Sequence, residues 1–191
     1  MELTLTKTES LKSSVLVKLA AVSFWVILTA LSAQMKIWLP FTPVPITLQT
    51  GVVMLGGVLL GKYGFFSQVL YILLGCIGLP FFAVDLPGVK AIWGPTGGYL
   101  FGFLIASYLA YRFVHYPWNE LSFAKKWLRL FAMSFVIFLP GVIVLAQVMN
   151  LSWSKALQLG LYPFIFGAII KTTLVSLTPN VLVKNTQKFF G

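Results

Sequence analysis

Apolar residues in this chain come in long unbroken runs rather than in the short alternations that mark a half-buried strand. The first run, residues 14–34, is long enough to cross a hydrocarbon core about 30 Å thick as one helix. Pro40, Pro43 and Pro45 then crowd residues 35–46, and because each proline lacks a donor and restricts its predecessor, an ordered, extended loop is predicted there. A short second span over residues 48–60 carries Gly51, Gly56 and Gly57, whose missing side chains let helices approach closely. Gly61-Lys62-Tyr63-Gly64 turns the chain into a third span that ends near Gly78. Residues 79–98 form a long connection holding Pro80, Asp85, Pro87, Gly88, Lys90, Trp93 and the run Gly94-Pro95-Thr96-Gly97-Gly98. Connections of that length are usually functional or disordered, and the aromatic and apolar content of this one argues for function. Further spans are predicted over 99–114 and 127–149, separated by a polar, basic segment at 115–126. Residues 152–162 read as a short amphipathic helix at the interface, and after Pro163 a last span reaches to about Val183.

Six spans make this an all-α integral membrane protein, a compact bundle with structured Pro/Gly-rich outer loops and no internal repeat. The division predicted is an N-terminal tail over residues 1–13, a membrane domain over 14–185 and a C-terminal tail over 186–191. Lys7, Lys12, Lys18, Lys62, Arg112, Lys125, Lys126, Arg129, Lys184 and Lys188 fall on one side of that topology, and only Lys36, Lys90 and Lys155 on the other. The bias puts both termini in the cytoplasm, with the protein multi-pass in the plasma membrane. Composition agrees: 59% of residues are hydrophobic and 9% charged, at a mean hydropathy of +0.92. The net charge of +10 is scattered over the ends of apolar runs, which points to topology and anionic lipid headgroups and away from nucleic acid. Cys76 is the lone cysteine, so no intrachain disulfide forms.

An enzyme needs acids, bases, nucleophiles or metal ligands within reach of one another, and here they are scarce. Glu2 and Glu9 sit in the N-terminal tail, Glu120 in a cytoplasmic loop and Asp85 outside, while His115 stands alone at a span end as an interfacial residue. No phosphate-cradling loop is present, and neither a cofactor nor a metal is expected. Lys171 is the informative residue, being the only charged side chain between Ala156 and Val183. An ammonium near the centre of a membrane helix costs about 2.5 to 3.5 kcal/mol on insertion scales. It therefore either receives an anion, snorkels to the nearer interface or pairs with a backbone carbonyl. The Gly94–Gly98 cluster has two readings as well. It is a tight turn into a helix capped by Thr96, or a place where Gly97 and Gly98 let a ligand approach the backbone between the flat walls of Trp93 and Tyr99.

Four motifs occur together: Pro-Phe-Thr-Pro-Val-Pro-Ile-Thr-Leu-Gln over residues 40–49, Gly-Leu-Pro over 78–80, Gly-Pro-Thr-Gly-Gly-Tyr-Leu over 94–100, and Pro-Phe-x-x-Gly-x-x-x-Lys from Pro163 to Lys171. In this order and spacing they closely resemble the BioY family, the biotin-specific substrate-binding (S) components of energy-coupling-factor (ECF) transporters. The resemblance implies biotin as ligand, in a pocket near the outer face, and as partners a transmembrane coupling subunit and two ATPase subunits. Lys171 matches the family's last-helix lysine and is expected to pair with the biotin carboxylate. Phe41, Trp93, Tyr99 and Phe164 are expected around the bicyclic body, Thr42, Thr96 and loop backbone at the ureido group, with Gly97, Gly98 and Gly167 lining the approach.

Two departures from the family pattern stand out. Ala168 occupies the place of the usual acidic residue in Phe166-Gly167-Ala168, so Asp85 is expected either to take over as acceptor for a ureido N–H or to pair with Lys90. The first span keeps only a loose version of the small-residue spacing that docks a coupling subunit, at Thr29 and Ala33. The alternatives are an S component for a different small vitamin and a membrane scaffold that transports nothing.

Overall fold

The computed structural model describes residues 2–86 and 88–190, with side chains from residue 15 onward; Pro87 and the side chains of Glu2, Lys7, Glu9 and Lys12 lie outside the described residues. Helix α1 runs from Glu2 to Gln34 without a break. Over its apolar part it buries Trp25, Val26, Thr29, Ala30 and Ala33 and turns Phe24, Ile27 and Leu31 outward. That buried face follows the i, i+4 spacing of one helical stripe. Thr29 and Ala33 are wholly buried, and Gln68 of the third helix donates to the Thr29 hydroxyl at 3.2 Å. This corrects the expectation for the pair: in this arrangement they face the bundle, and no coupling surface is formed by them.

The proline-rich segment folds as a two-stranded hairpin, with β1 (Lys36–Ile37) antiparallel to β2 (Ile46–Thr47). Helix α2 (Gln49–Leu60) and helix α3 (Lys62–Cys76) follow, joined at Gly61, whose φ of +57° is a left-handed conformation that favours glycine. A long loop leads to the single turn α4 (Val89–Ile92) and then to α5 (Gly97–Ala110), which continues as a π-helical turn over Tyr111–His115. Helix α6 (Phe123–Val148) starts at Ser122, whose hydroxyl caps the backbone N–H of Lys125. The short helix predicted over residues 152–162 is α7 (Trp153–Gly160), capped in the same way by Ser152. Helix α8 (Tyr162–Ser176) ends before Pro179, and α9 (Asn180–Phe190) is a separate element. The last span therefore stops short of Val183, because a proline cannot continue the helix and its predecessor is pushed out of helical geometry. Residues 186–190, expected as a tail, belong to α9, which buries Val183 and Phe190.

Four segments among the described residues are long and apolar enough to cross a membrane: Val15–Gln34, Gly97–His115, Phe123–Val148 and Trp153–Ser176. The protein is thus a multi-pass, all-α membrane protein; α2 is a shorter apolar helix between the first and second of these segments, and α3 follows it. Helices α5 and α6 make the closest crossing. A Cβ at Gly98 would fall on the Pro140 carbonyl oxygen, and one at Gly102 would meet the Ile137 Cα at 2.6 Å. Glycines four residues apart thus seat α5 on the proline-bearing turn of α6.

The two ends of the bundle differ in kind. At one end Gln34 donates to the Pro80 and Phe82 carbonyls, and the Thr42 hydroxyl to the Leu159 carbonyl at 2.8 Å. The end of α1 and the loop after α3 therefore meet there, as do the hairpin and the end of α7. At the other end Lys126 donates to the Asn180 side chain at 2.7 Å and Gln187 donates to the His115 carbonyl, which ties α9 across the basic face. His115 is buried there, with Nδ1–H donating to the Val58 carbonyl at 2.6 Å, so it is a core residue and not an interfacial one.

Candidate functional site

Lys171 stands on α8, a helix that opens with Pro163 in its first turn, where a missing donor costs nothing. Its aliphatic stem runs beside α2, since a Cβ added at Gly51 would meet Lys171 Cβ and Cγ at 3.4 Å. The ammonium turns toward the proline hairpin and donates to the Thr47 carbonyl at 2.9 Å. Of the sequence alternatives, the carbonyl contact is therefore realised, and snorkelling into headgroups is not. One carbonyl satisfies one of three ammonium donors and none of its charge. Among the described residues the one ion pair is Lys36–Asp85, so no carboxylate neutralises Lys171.

A cavity of about 50 Å³ opens beside this amine. Its polar wall is Lys171, Thr47, Gln49, Thr50 and Thr96, and no acidic side chain lines it. Its apolar wall is Val44, Pro45, Ala83, Tyr99, Phe103, Phe138 and Phe164. Tyr99 and Phe138 both lean on Phe164, with ring centroids 6.3 and 6.2 Å away. The Tyr99 hydroxyl is fixed by donating to the Gly160 carbonyl at 2.7 Å. Gln49 is nearly fully buried and donates to the Tyr71 hydroxyl at 2.7 Å, which in turn donates to the Phe81 carbonyl at 3.0 Å. The buried Thr50 hydroxyl has no partner at all. A buried polar atom left unpaired costs about 1 to 3 kcal/mol, so Thr50 is a place where an incoming polar group would be favoured.

Of the residues singled out in the sequence, Lys171, Thr96, Tyr99 and Phe164 meet at this cavity. Thr96 sits at the N-terminal boundary of α5 without making a cap bond, which leaves its hydroxyl available. Gly167 is next to the amine, with room for a Cβ 3.8 Å from Nζ. The others are elsewhere. Thr42 spends its hydroxyl on Leu159 and on the Val44 N–H, and so pins the hairpin to the end of α7. Phe41 and Trp93 point outward at 57% and 77% exposure. Gly97 and Gly98 press on the Ile92 and Pro140 carbonyls, so close packing accounts for the missing side chain at both positions. Asp85 pairs with Lys36 at 3.3 Å rather than with Lys90, is 91% exposed, and does not line the cavity.

Sequence reasoning missed Gln49 and Thr50, although a signal was available. With Thr47 they form a polar cluster at the mouth of an otherwise apolar run, directly after the proline hairpin. Ala83, Phe103 and Phe138 carry no such mark and are brought in by tertiary packing alone.

Comparison with known proteins gives one consistent result. The chain is 36% identical over 171 residues to the probable biotin transporter BioY of Pyrococcus horikoshii, covering 88% of this chain and 98% of that one. It is 34% identical over 160 residues to the biotin transporter BioY2 of Lactococcus lactis subsp. cremoris, covering 80% and 85%. A crystal structure of the S-component for biotin from an ECF-type ABC transporter superposes with a TM-score of 0.75 at 25% identity, over 92% of this chain and 96% of that one. The pattern of a single family is matched from residue 5 to residue 188, and the chain belongs to the BioY family.

Proposed function

We propose that this chain is the biotin-binding S component of an energy-coupling-factor transporter, working by binding and translocation and not by catalysis. The observation that carries the reading is Lys171, an ammonium without a carboxylate partner facing a cavity that is polar on one wall and aromatic on the other. Biotin has matching parts. Its carboxylate displaces the Thr47 carbonyl from Lys171, its bicyclic body lies against Tyr99, Phe138 and Phe164, and its ureido group meets Gln49, Thr50 and Thr96. A charge-assisted contact is roughly twice as strong as a neutral one, so the carboxylate pairing is the specific step. This reading moves the ureido contact from Asp85 to the start of α2.

A void of about 50 Å³ is well below the roughly 300 to 1,000 Å³ of ordinary small-molecule sites. Loading therefore requires the hairpin over residues 35–48 to lift, which breaks its ties at Thr42 and Thr47. Binding of labelled biotin to the purified protein tests the reading, with unlabelled biotin and a panel of other small vitamins as competitors. Biotin alone should displace the label. Thr50→Val should weaken binding by about tenfold, the value of one hydrogen bond, while Asp85→Ala changes it less than about twofold. Absence of displaceable binding, or displacement by a different vitamin, overturns the assignment.

In the membrane, α2 and α3 complete a six-helix bundle with both termini cytoplasmic, which the concentration of lysine and arginine at the α9 end supports. A coupling subunit and two ATPase subunits then supply the energy. In a Cys76→Ser background, a membrane-impermeant thiol reagent added to intact cells is expected to label Trp93→Cys and to spare Lys188→Cys. The opposite pattern would invert the topology.

A further inference from the structure

We infer that the face between α3 and α5 holds one anionic phospholipid of the leaflet at the basic end, with an acyl chain in the groove and its phosphate at Lys62 and Lys18. The groove has a volume of about 490 Å³, and Phe65, Phe66, Leu104, Ile105 and Tyr108 form its apolar length, with Lys62 at its rim. Phe65 and Tyr108 meet edge to face at 6.0 Å and make a rigid floor. Tyr63 joins the rim to the groove, packing on Phe66 with ring centroids 6.4 Å apart. The same Tyr63 ring gathers two cations, Lys62 Nζ at 5.4 Å and Lys18 Nζ at 5.6 Å from its centroid. Among the described residues neither ammonium has a carboxylate partner, the one ion pair lying at Lys36 and Asp85. A phosphodiester at Lys62 and Lys18 supplies the missing anion, and an acyl chain fills a groove whose lining beyond Lys62 is apolar except for the hydroxyls of Tyr108 and Tyr111.

The groove between α6 and α7 provides the internal contrast. It is lined by Phe135, Leu139, Trp153 and other apolar residues, with no charged side chain, and so selects no headgroup.

The test is titration of the purified full-length protein in detergent with phosphatidylglycerol or phosphatidylcholine, with bound lipid counted by native mass spectrometry. Wild type is expected to retain one phosphatidylglycerol in preference to phosphatidylcholine. Lys62→Gln and Lys18→Gln should each lower that retention about fivefold, the effect of one basic residue at a membrane surface, and leave phosphatidylcholine unchanged. Lys155→Gln, at the opposite end, should change neither. Equal retention of the two lipids by wild type overturns the proposal without any variant. So does a phosphatidylglycerol preference that survives both substitutions, with melting temperatures in phosphatidylcholine matching wild type to show that the variants are folded.

Discussion

Lys171→Ala is expected to weaken biotin binding about 100-fold, equivalent to about 2.7 kcal/mol, within the range for truncating one partner of a buried charge pair. The same substitution should cost biotinol, which lacks the carboxylate, no more than about fivefold. Both ligands are needed because Lys171 has a second task, holding the Thr47 carbonyl at 2.9 Å. Its removal loosens the hairpin for either ligand, and that contribution cancels in the comparison. What is left reports the carboxylate alone. Equal losses for the two ligands would show that Lys171 only fastens the loop.

The second large effect concerns stability. Gly98→Ala is expected to destabilise the protein by about 3 kcal/mol, at the upper end of overpacking costs. The added carbon would fall on the Pro140 carbonyl and within 2.9 Å of the Gly141 Cα. Both obstacles are backbone, so no side chain can swing away, and α5 and α6 have to separate. Gly167→Ala is the matched control. A Cβ there finds its nearest neighbour, Lys171 Cε, at 3.7 Å, an ordinary contact, so stability should stay within about 1 kcal/mol of wild type. Chemical unfolding of both variants in one detergent reads the difference. A Gly98→Ala protein as stable as Gly167→Ala would mean that the α5–α6 crossing is looser than described.

Four of the six predicted spans, the short capped helix at Trp153 and the solitary amine of Lys171 were legible in the chain, because hydropathy and a lone charge are local signals. Tyr99, Thr96 and Phe164 were legible through motifs whose spacing brings them to one end of the bundle. The boundary at Ser176 was not read, since the apolar residues Val181 to Val183 prolong the run beyond the proline that ends the helix. Asp85 was assigned to the ligand because it is the one acid in its loop; its partner Lys36 is far away in sequence, and only the hairpin brings the two together. Gly97 and Gly98 illustrate the same limit. A glycine records that something comes close, and the chain alone does not say whether that neighbour is a ligand or, as here, a carbonyl of another helix.

The tightness of the space beside Lys171 bears on both the speed and the strength of binding. A ligand that enters only after the hairpin has come away competes with the protein's own contacts, so the apparent affinity falls below the intrinsic one by the fraction of time the lid is open. Whatever unfastens Thr42 from Leu159 without touching the chamber itself then raises both uptake rate and apparent affinity together. Until the hairpin lifts, the amine of Lys171 stays covered by its own backbone partner at Thr47.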